Sequence, residues 1–176
     1  MDEATRQAMD TFFRDSEQKA YLMAMTLTRN HHDALELVQE SMLKLVQKYC
    51  DRGPEEWAPL FYRILHNGIK DWYRRQKFDQ VLRGIMPWQA DDESMEMAAS
   101  ECSAERNALI DDEITQVMRA LQQLPLRQQQ TFLMRAWQEM STRETAFALS
   151  ISENSVKTHY ARATQKLRQL LGDENE

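Results

Sequence analysis

The chain has 176 residues, and its four glycines and four prolines, against plentiful Leu, Met, Ala, Gln and Glu, favour helices throughout, while its two cysteines read as reduced thiols. No apolar run is long enough to span a bilayer and no signal peptide opens at Met1-Asp2-Glu3, so the expected location is the cytoplasm, with no insertion into a membrane. The net charge of −6 is poor ground for nucleic-acid binding until it is divided: residues 1–87 carry 13 basic and 13 acidic groups, residues 88–113 carry 1 and 9, and residues 114–176 carry 8 and 6.

The negative surplus therefore sits in the middle, between two segments that can keep local basic faces. No strand-like alternation interrupts the helical patterning. The predicted fold is all-α: two small helical domains, residues 1–87 and 113–176, joined by an acidic flexible linker over 88–112, the second domain being a helix-turn-helix.

Residues 4–29 form a first helix that buries Met9, Phe12, Phe13, Ala20, Met23 and Leu27. Arg29-Asn30-His31-His32 interrupts it, and Asp33 is placed to cap a second helix. There Leu35, Val38, Met42, Leu45 and Tyr49 repeat at helical spacing, leaving Glu36, Gln39, Glu40, Lys44 and Gln47 outward. On composition alone that polar face is a solvated surface. His31 and His32 point to different sides of a helix and lack further ligands, and Cys50 and Cys102 fit no paired zinc spacing, so no metal is expected.

Asp51-Arg52-Gly53-Pro54 is a loop by its Gly-Pro pair, and a long helix follows. Trp57, Phe61, Ile64, Gly68 and Trp72 share one face, while Arg63, Asn67, Lys70, Arg74, Arg75 and Lys77 crowd the others. Aromatic rings interleaved with cations suit single-stranded DNA, where each base stacked on a ring contributes roughly 1–3 kcal/mol. For Trp57 and Trp72 themselves the apolar spacing favours a place in the core.

From Trp88 to Asp112 the chain turns to Asp, Glu, Ser, Met and Ala without a helical stripe, as a solvated tether would. The helical pattern returns with Ile114, Val117, Met118, Leu121 and Leu124, and Pro125 opens a further helix containing Phe132, Leu133 and Trp137.

Ser141 followed by Glu144 is a capping box that starts a short helix through Leu149; Ser150-Ile151-Ser152 is the turn, and Ser152 caps the last helix. In that helix Val156, Tyr160, Ala163, Leu167 and Leu170 form one buried stripe, and the opposite face presents Glu153, Asn154, Lys157, Thr158, Ala161 and Arg162. The arrangement is that of a recognition helix able to enter a major groove, although a helical hairpin with a solvated basic face has the same pattern.

Three stretches, in order, decide between these readings by resemblance. Asp33-Ala34-Leu35-Glu36-Leu37-Val38-Gln39-Glu40, then Tyr62-Arg63-Ile64-x-x-Asn67-x-x-x-Asp71-x-x-Arg74-Arg75, then Leu124-Pro125-x-Arg127-Gln128 with Ser141-x-x-Glu144-x-Ala146, Ile151-Ser152 and Val156-Lys157 to Arg162-Ala163, resemble bacterial RNA polymerase sigma factors of the extracytoplasmic-function (ECF) class, within the sigma-seventy family. The resemblance spans nearly the whole chain.

It implies a transcription initiation subunit, active in stress responses, with no catalytic residues and no cofactor. Glu36, Gln39 and Glu40 would dock on core RNA polymerase; Leu35 departs from the acidic residue usual there. Tyr62, Asn67, Lys70, Arg74 and Arg75 would read and melt the −10 element, with the loop from Asp51 to Trp57 holding a flipped base. Arg135, Asn154, Lys157, Thr158 and Arg162 would bind the duplex −35 element, Arg135 on the DNA backbone. The linker would lie in the polymerase's RNA-exit path, bridging elements about two helical turns, or roughly 70 Å, apart. An anti-sigma factor is an expected partner.

Three positions depart from the family pattern: Thr145 stands for the usual Ile, Ser150 for the usual turn Gly, and Phe147 occupies a commonly polar site, as a partner contact or a half-buried ring. Alternatives are a sigma-like decoy for an anti-sigma factor, which need not keep Arg74, Arg75, Lys157 and Arg162, and a stand-alone helix-turn-helix regulator, which would not need the Glu36–Glu40 motif. An RNA-processing enzyme fails for want of a nucleophile–base pair, a phosphate-cradling glycine loop or a metal cluster.

Overall fold

The computed structural model describes residues 2–82 and 112–172. The predicted linker, apart from Asp112, lies outside the described residues. Among those described there are seven α-helices, one π-helical turn and no strand, so the all-α expectation holds.

Helix α1 (Glu3–Thr28) begins where the Asp2 side chain accepts the Thr5 N–H at 2.7 Å and ends on Arg29, whose left-handed backbone (φ 55°) lets its N–H reach the Met25 carbonyl. Helix α2 (His31–Tyr49) starts two residues before the predicted cap. Asn30 rather than Asp33 caps it, its side chain accepting the Asp33 N–H at 3.0 Å.

The buried side of α2 is also turned from the predicted one: Ala34, Leu37, Val38, Ser41 and Leu45 face inward, and Leu35 is 37% exposed. Small residues explain the rotation. Ala20 and Ala24 on α1 and Ala34 and Ser41 on α2 are all buried, and backbones approach most closely where side chains are short, so the large Leu35 is left at the margin.

Helix α3 (Pro54–Leu82) carries Pro54 in its first turn, where the missing N–H has no helical partner to lose. The expected loop through Trp57 is therefore shorter than predicted, since Trp57 already belongs to the helix and is 1% exposed, its ring 6.1 Å from that of Phe12. Trp57, Phe61, Leu65, Ile69 and Tyr73 point inward at intervals of four, joined by Tyr62 and His66. Trp72 and Ile64 are only half-buried. At Gly68 α3 comes so near α2 that an added Cβ would stand 3.2 Å from a Leu37 methyl.

The C-terminal helices are α4 (Asp112–Leu121), α5 (Leu126–Phe132), a π-helical turn (Leu133–Trp137), α6 (Thr142–Leu149) and α7 (Glu153–Gly172). Leu121, Leu133, Met134, Leu149, Val156 and Ala163 make their core.

This group is in contact with the first three helices. The end of α1 approaches α5, and α3 packs along α6. Covered by α1 and α2 on one side and α6 on another, α3 buries a broader surface than a single apolar stripe would, which is why Tyr62 and His66 are inside.

Candidate polymerase and nucleic-acid interfaces

The turn between α6 and α7 is built as the sequence indicates. Ser141 Oγ accepts the Glu144 N–H at 3.1 Å while Glu144 Oε2 accepts the Ser141 N–H at 2.7 Å, both bonds of a capping box. Those bonds to Ser141 hold the Glu144 carboxyl below the usual carboxylate range. Ser150 takes the left-handed conformation that glycine would occupy at lower cost (φ 55°), and Ser152 Oγ accepts the Ser155 N–H at 3.1 Å.

On α7, Asn154, Lys157, Thr158 and Arg162 are all exposed, along one face opposite Val156, Ala163 and Leu167. The Thr158 hydroxyl donates to the Asn154 carbonyl at 3.0 Å. Arg135 stands apart from that face. It is half-buried, one guanidinium N–H donates to the Met140 carbonyl, and the cation lies 5.7 Å from the Tyr160 ring, so much of its charge is directed into the domain.

Thr145 is fully buried, and its hydroxyl has no hydrogen-bond partner. The usual isoleucine would fill that space without a polar atom to satisfy.

On α2, Glu36, Gln39 and Glu40 are exposed in one row, with Lys44 paired to Glu40 at 3.0 Å. Leu35, Val38, Gln39 and Met42 meet Arg14, Glu17, Gln18 and Tyr21 of α1 along a shallow groove of about 280 Å³ beside that row. His31 bonds to the Tyr21 hydroxyl at 2.7 Å, and no metal-binding group of His, Cys, Asp or Glu occurs among the described residues.

The residues expected at the −10 element divide. Asn67, Arg74 and Arg75 are exposed, Arg74 with an ion pair to Asp71 at 3.4 Å, and Lys70 is half-buried. Tyr62 is only 3% exposed and bonds to the Gln138 side chain, its acidity suppressed by burial. In this conformation Tyr62 is closed off from any base. Sequence reasoning missed Gln138, the residue that takes the Tyr62 hydroxyl, which carries no local signal.

Residues 12–78 match the family described as Sigma-70 region 2, and residues 114–167 match Sigma-70, region 4; together they cover more than half of the chain. The chain belongs to the sigma-70 family. It is similar to RNA polymerase sigma factor SigV of Bacillus subtilis, 29% identical over 174 residues, which are 98% of this chain and 96% of that protein. ECF RNA polymerase sigma factor SigM of Mycobacterium tuberculosis is 29% identical, with 95% of this chain and 79% of that protein covered.

Among solved structures, the Bartonella quintana sigma factor RpoE, in complex with the anti-sigma factor NepR, shares the fold at a TM-score of 0.68 and 18% identity, over 92% of this chain and 97% of that one. CnrH in complex with the cytosolic domain of CnrY does so at 0.63 and 19%, over 96% and 95%. This sigma factor is thus of the ECF class, a transcription initiation factor that directs RNA polymerase to promoters. No described helix is long and apolar enough to cross a membrane.

Proposed function

We propose that residues 1–87 dock on core polymerase and capture the melted −10 element, residues 113–176 read the −35 duplex, and residues 88–112 join them. The observation that carries this reading is the presence, in one sigma chain, of two outward polar faces on separate helices, each opposite a buried stripe.

The first is Glu36, Gln39 and Glu40 on α2. Three acceptor-rich side chains in a row suit a basic partner surface, and the adjoining groove supplies apolar contact at Leu35 and Met42. The second is Asn154, Lys157, Thr158 and Arg162 on α7. An Asn amide can pair with adenine, an Arg or Lys with guanine or a phosphate, at the depth a helix reaches in the major groove. Arg135 has donors beyond the one spent on Met140 and can give them to the DNA backbone.

For the melted strand, Asn67, Lys70, Arg74 and Arg75 supply amide and cationic contacts on α3, and Tyr62 a stacking ring once uncovered. The chain works in the cytoplasm, where it meets polymerase and DNA, and performs no covalent chemistry. An anti-sigma factor is a fitting partner, since the RpoE structure that shares the fold is bound to one.

The docking face is tested by Glu40→Lys and Gln39→Ala in the full chain. Both should weaken association with core polymerase about tenfold or more while leaving the circular dichroism spectrum unchanged. Core affinity unaltered in both would remove the assignment.

A further inference from the structure

Helix α7 carries four exposed cations, Lys157, Arg162, Lys166 and Arg168, and a single acid, Glu153, which is its first residue. A carboxylate on a helix that approaches DNA is out of keeping with those cations, since every phosphate repels it. The local duties it could serve are already met or left unused. Ser152 caps the helix, its hydroxyl oxygen accepting the Ser155 N–H at 3.1 Å and lying 2.8 Å from the Ser155 hydroxyl. Lys157 follows at the spacing where a glutamate commonly pairs with a lysine, yet the exposed Glu153 carboxylate has no ion-pair or hydrogen-bond partner among the described residues. What remains for it within the chain is the weak preference of a first helical turn for an acid.

The DNA gives it more to do. A recognition helix enters the major groove with its N-terminal residues against the base edges. Glu153 directly precedes Asn154 and stands about one turn before Lys157, so a groove that admits those two admits it. An ionised carboxylate only accepts hydrogen bonds. On the major-groove edge guanine presents two acceptors, N7 and O6, and thymine an O4 acceptor and a methyl group; adenine presents an amino donor beside its N7 acceptor, and cytosine an amino donor alone. Cytosine is therefore the one base whose own edge offers the carboxylate a donor with no acceptor beside it.

We infer that Glu153 is a specificity-determining residue of the −35 contact: it accepts from the amino group of one cytosine and turns away the other three bases at that position. The inference rests on the reading of α7 as the −35 recognition helix. The cations of α7 supply affinity for any duplex, and the acid withholds it from sequences that lack the cytosine, so discrimination comes from an unfavourable contact as well as a favourable one.

The test uses holoenzyme assembled from the full chain and core RNA polymerase, on a promoter recovered by run-off transcription of genomic fragments and then randomised over its −35 element. Sequencing the templates retained in competitor-resistant complexes gives a base preference at each position. The wild type should favour cytosine over thymine about tenfold or more at one position on one strand. In Glu153→Ala that preference should fall below about threefold, with the other positions unchanged. Glu153→Gln gives the side chain a donor beside its acceptor, the pairing that adenine offers, and should move the preference at that position from cytosine to adenine. A residue that only steadied the first turn of α7 would shift the thermal melt and leave the base preferences alone.

Lys157→Ala separates the two ways of failing. If it weakens dependence on the −35 element while both Glu153 variants keep every wild-type preference, the inference is overturned and α7 remains the reader. If Lys157→Ala too leaves that dependence intact, α7 is not the reader, and the inference falls with that assignment.

Discussion

Ser141 and Glu144 cap one another, the hydroxyl of the first accepting the amide of the second at 3.1 Å and the carboxylate of the second accepting the amide of the first at 2.7 Å. Two orphan donors at the start of α6 are satisfied by this exchange, and α6 in turn fixes where the turn delivers α7. Ser141→Ala should cost about 1 kcal/mol, and a thermal melt should fall by roughly 2–4 °C. Glu144 has a folded-state pKa below its unfolded value. Its contribution is therefore present above the unfolded pKa and is lost as pH falls through the folded one. Glu144→Gln should accordingly lie below the wild type at neutral pH and approach it in acid; a gap independent of pH would show that the carboxylate charge contributes nothing.

Thr145 is buried with a hydroxyl that bonds to nothing. Thr145→Val keeps the shape and removes the unsatisfied group, so urea denaturation should report a gain of about 1 kcal/mol. A loss would mean that the hydroxyl has a hydrogen-bond partner in solution, a bound water for instance.

His66 is 3% exposed, and its pKa is lowered to about 4, by burial first and then by the positive charges of Arg127 and Lys70. The unfolded chain, with an ordinary histidine near 6.5, binds more protons between those two values. Stability therefore rises with pH across that window and falls on acidification from about 6.5 toward 4, by an amount on the order of 3 kcal/mol once the pH is below the folded value. His66→Gln should flatten this acid limb in a series of denaturant melts, whatever it does to stability at pH 7. An unchanged slope would place the titration elsewhere.

Lys157 and Arg162 lie on α7, Asn67 on α3, and the two helices serve different promoter elements in the proposed function. Lys157→Ala and Arg162→Ala should weaken −35 duplex binding, by about 1–3 kcal/mol and with relaxed specificity where the contact is to a base, or uniformly and with a shallower salt dependence where it is to a phosphate. Asn67→Ala should leave duplex affinity intact and lower the permanganate reactivity of −10 thymines. Normal melting in that variant would remove Asn67 from the strand-capture surface.

Local structure was legible in the sequence wherever one short-range rule governed it. The capping box, the turn at Ser150, the stripe from Val156 to Leu170 and the exposed row Glu36, Gln39 and Glu40 each depend on residues within a turn or two of one another, and the family motifs lie in those same stretches. The all-α class follows from the same local preferences. What tertiary structure decided is which side of a helix faces which neighbour. Periodicity alone put Leu35 inside, but in the packing of α2 against α1 and α3 it is Ala34, Leu37, Val38, Ser41 and Leu45 that are buried, and Leu35 lies at the surface. Tyr62 was expected at DNA through the family resemblance; the structure places it inside, its hydroxyl bonded to Gln138, 76 positions away. Arg63 and Phe147 show no relation until two helices from opposite halves are packed together. Hydrophobic period reports that a residue prefers burial, whereas the partner that buries it is set by contacts distant in the chain.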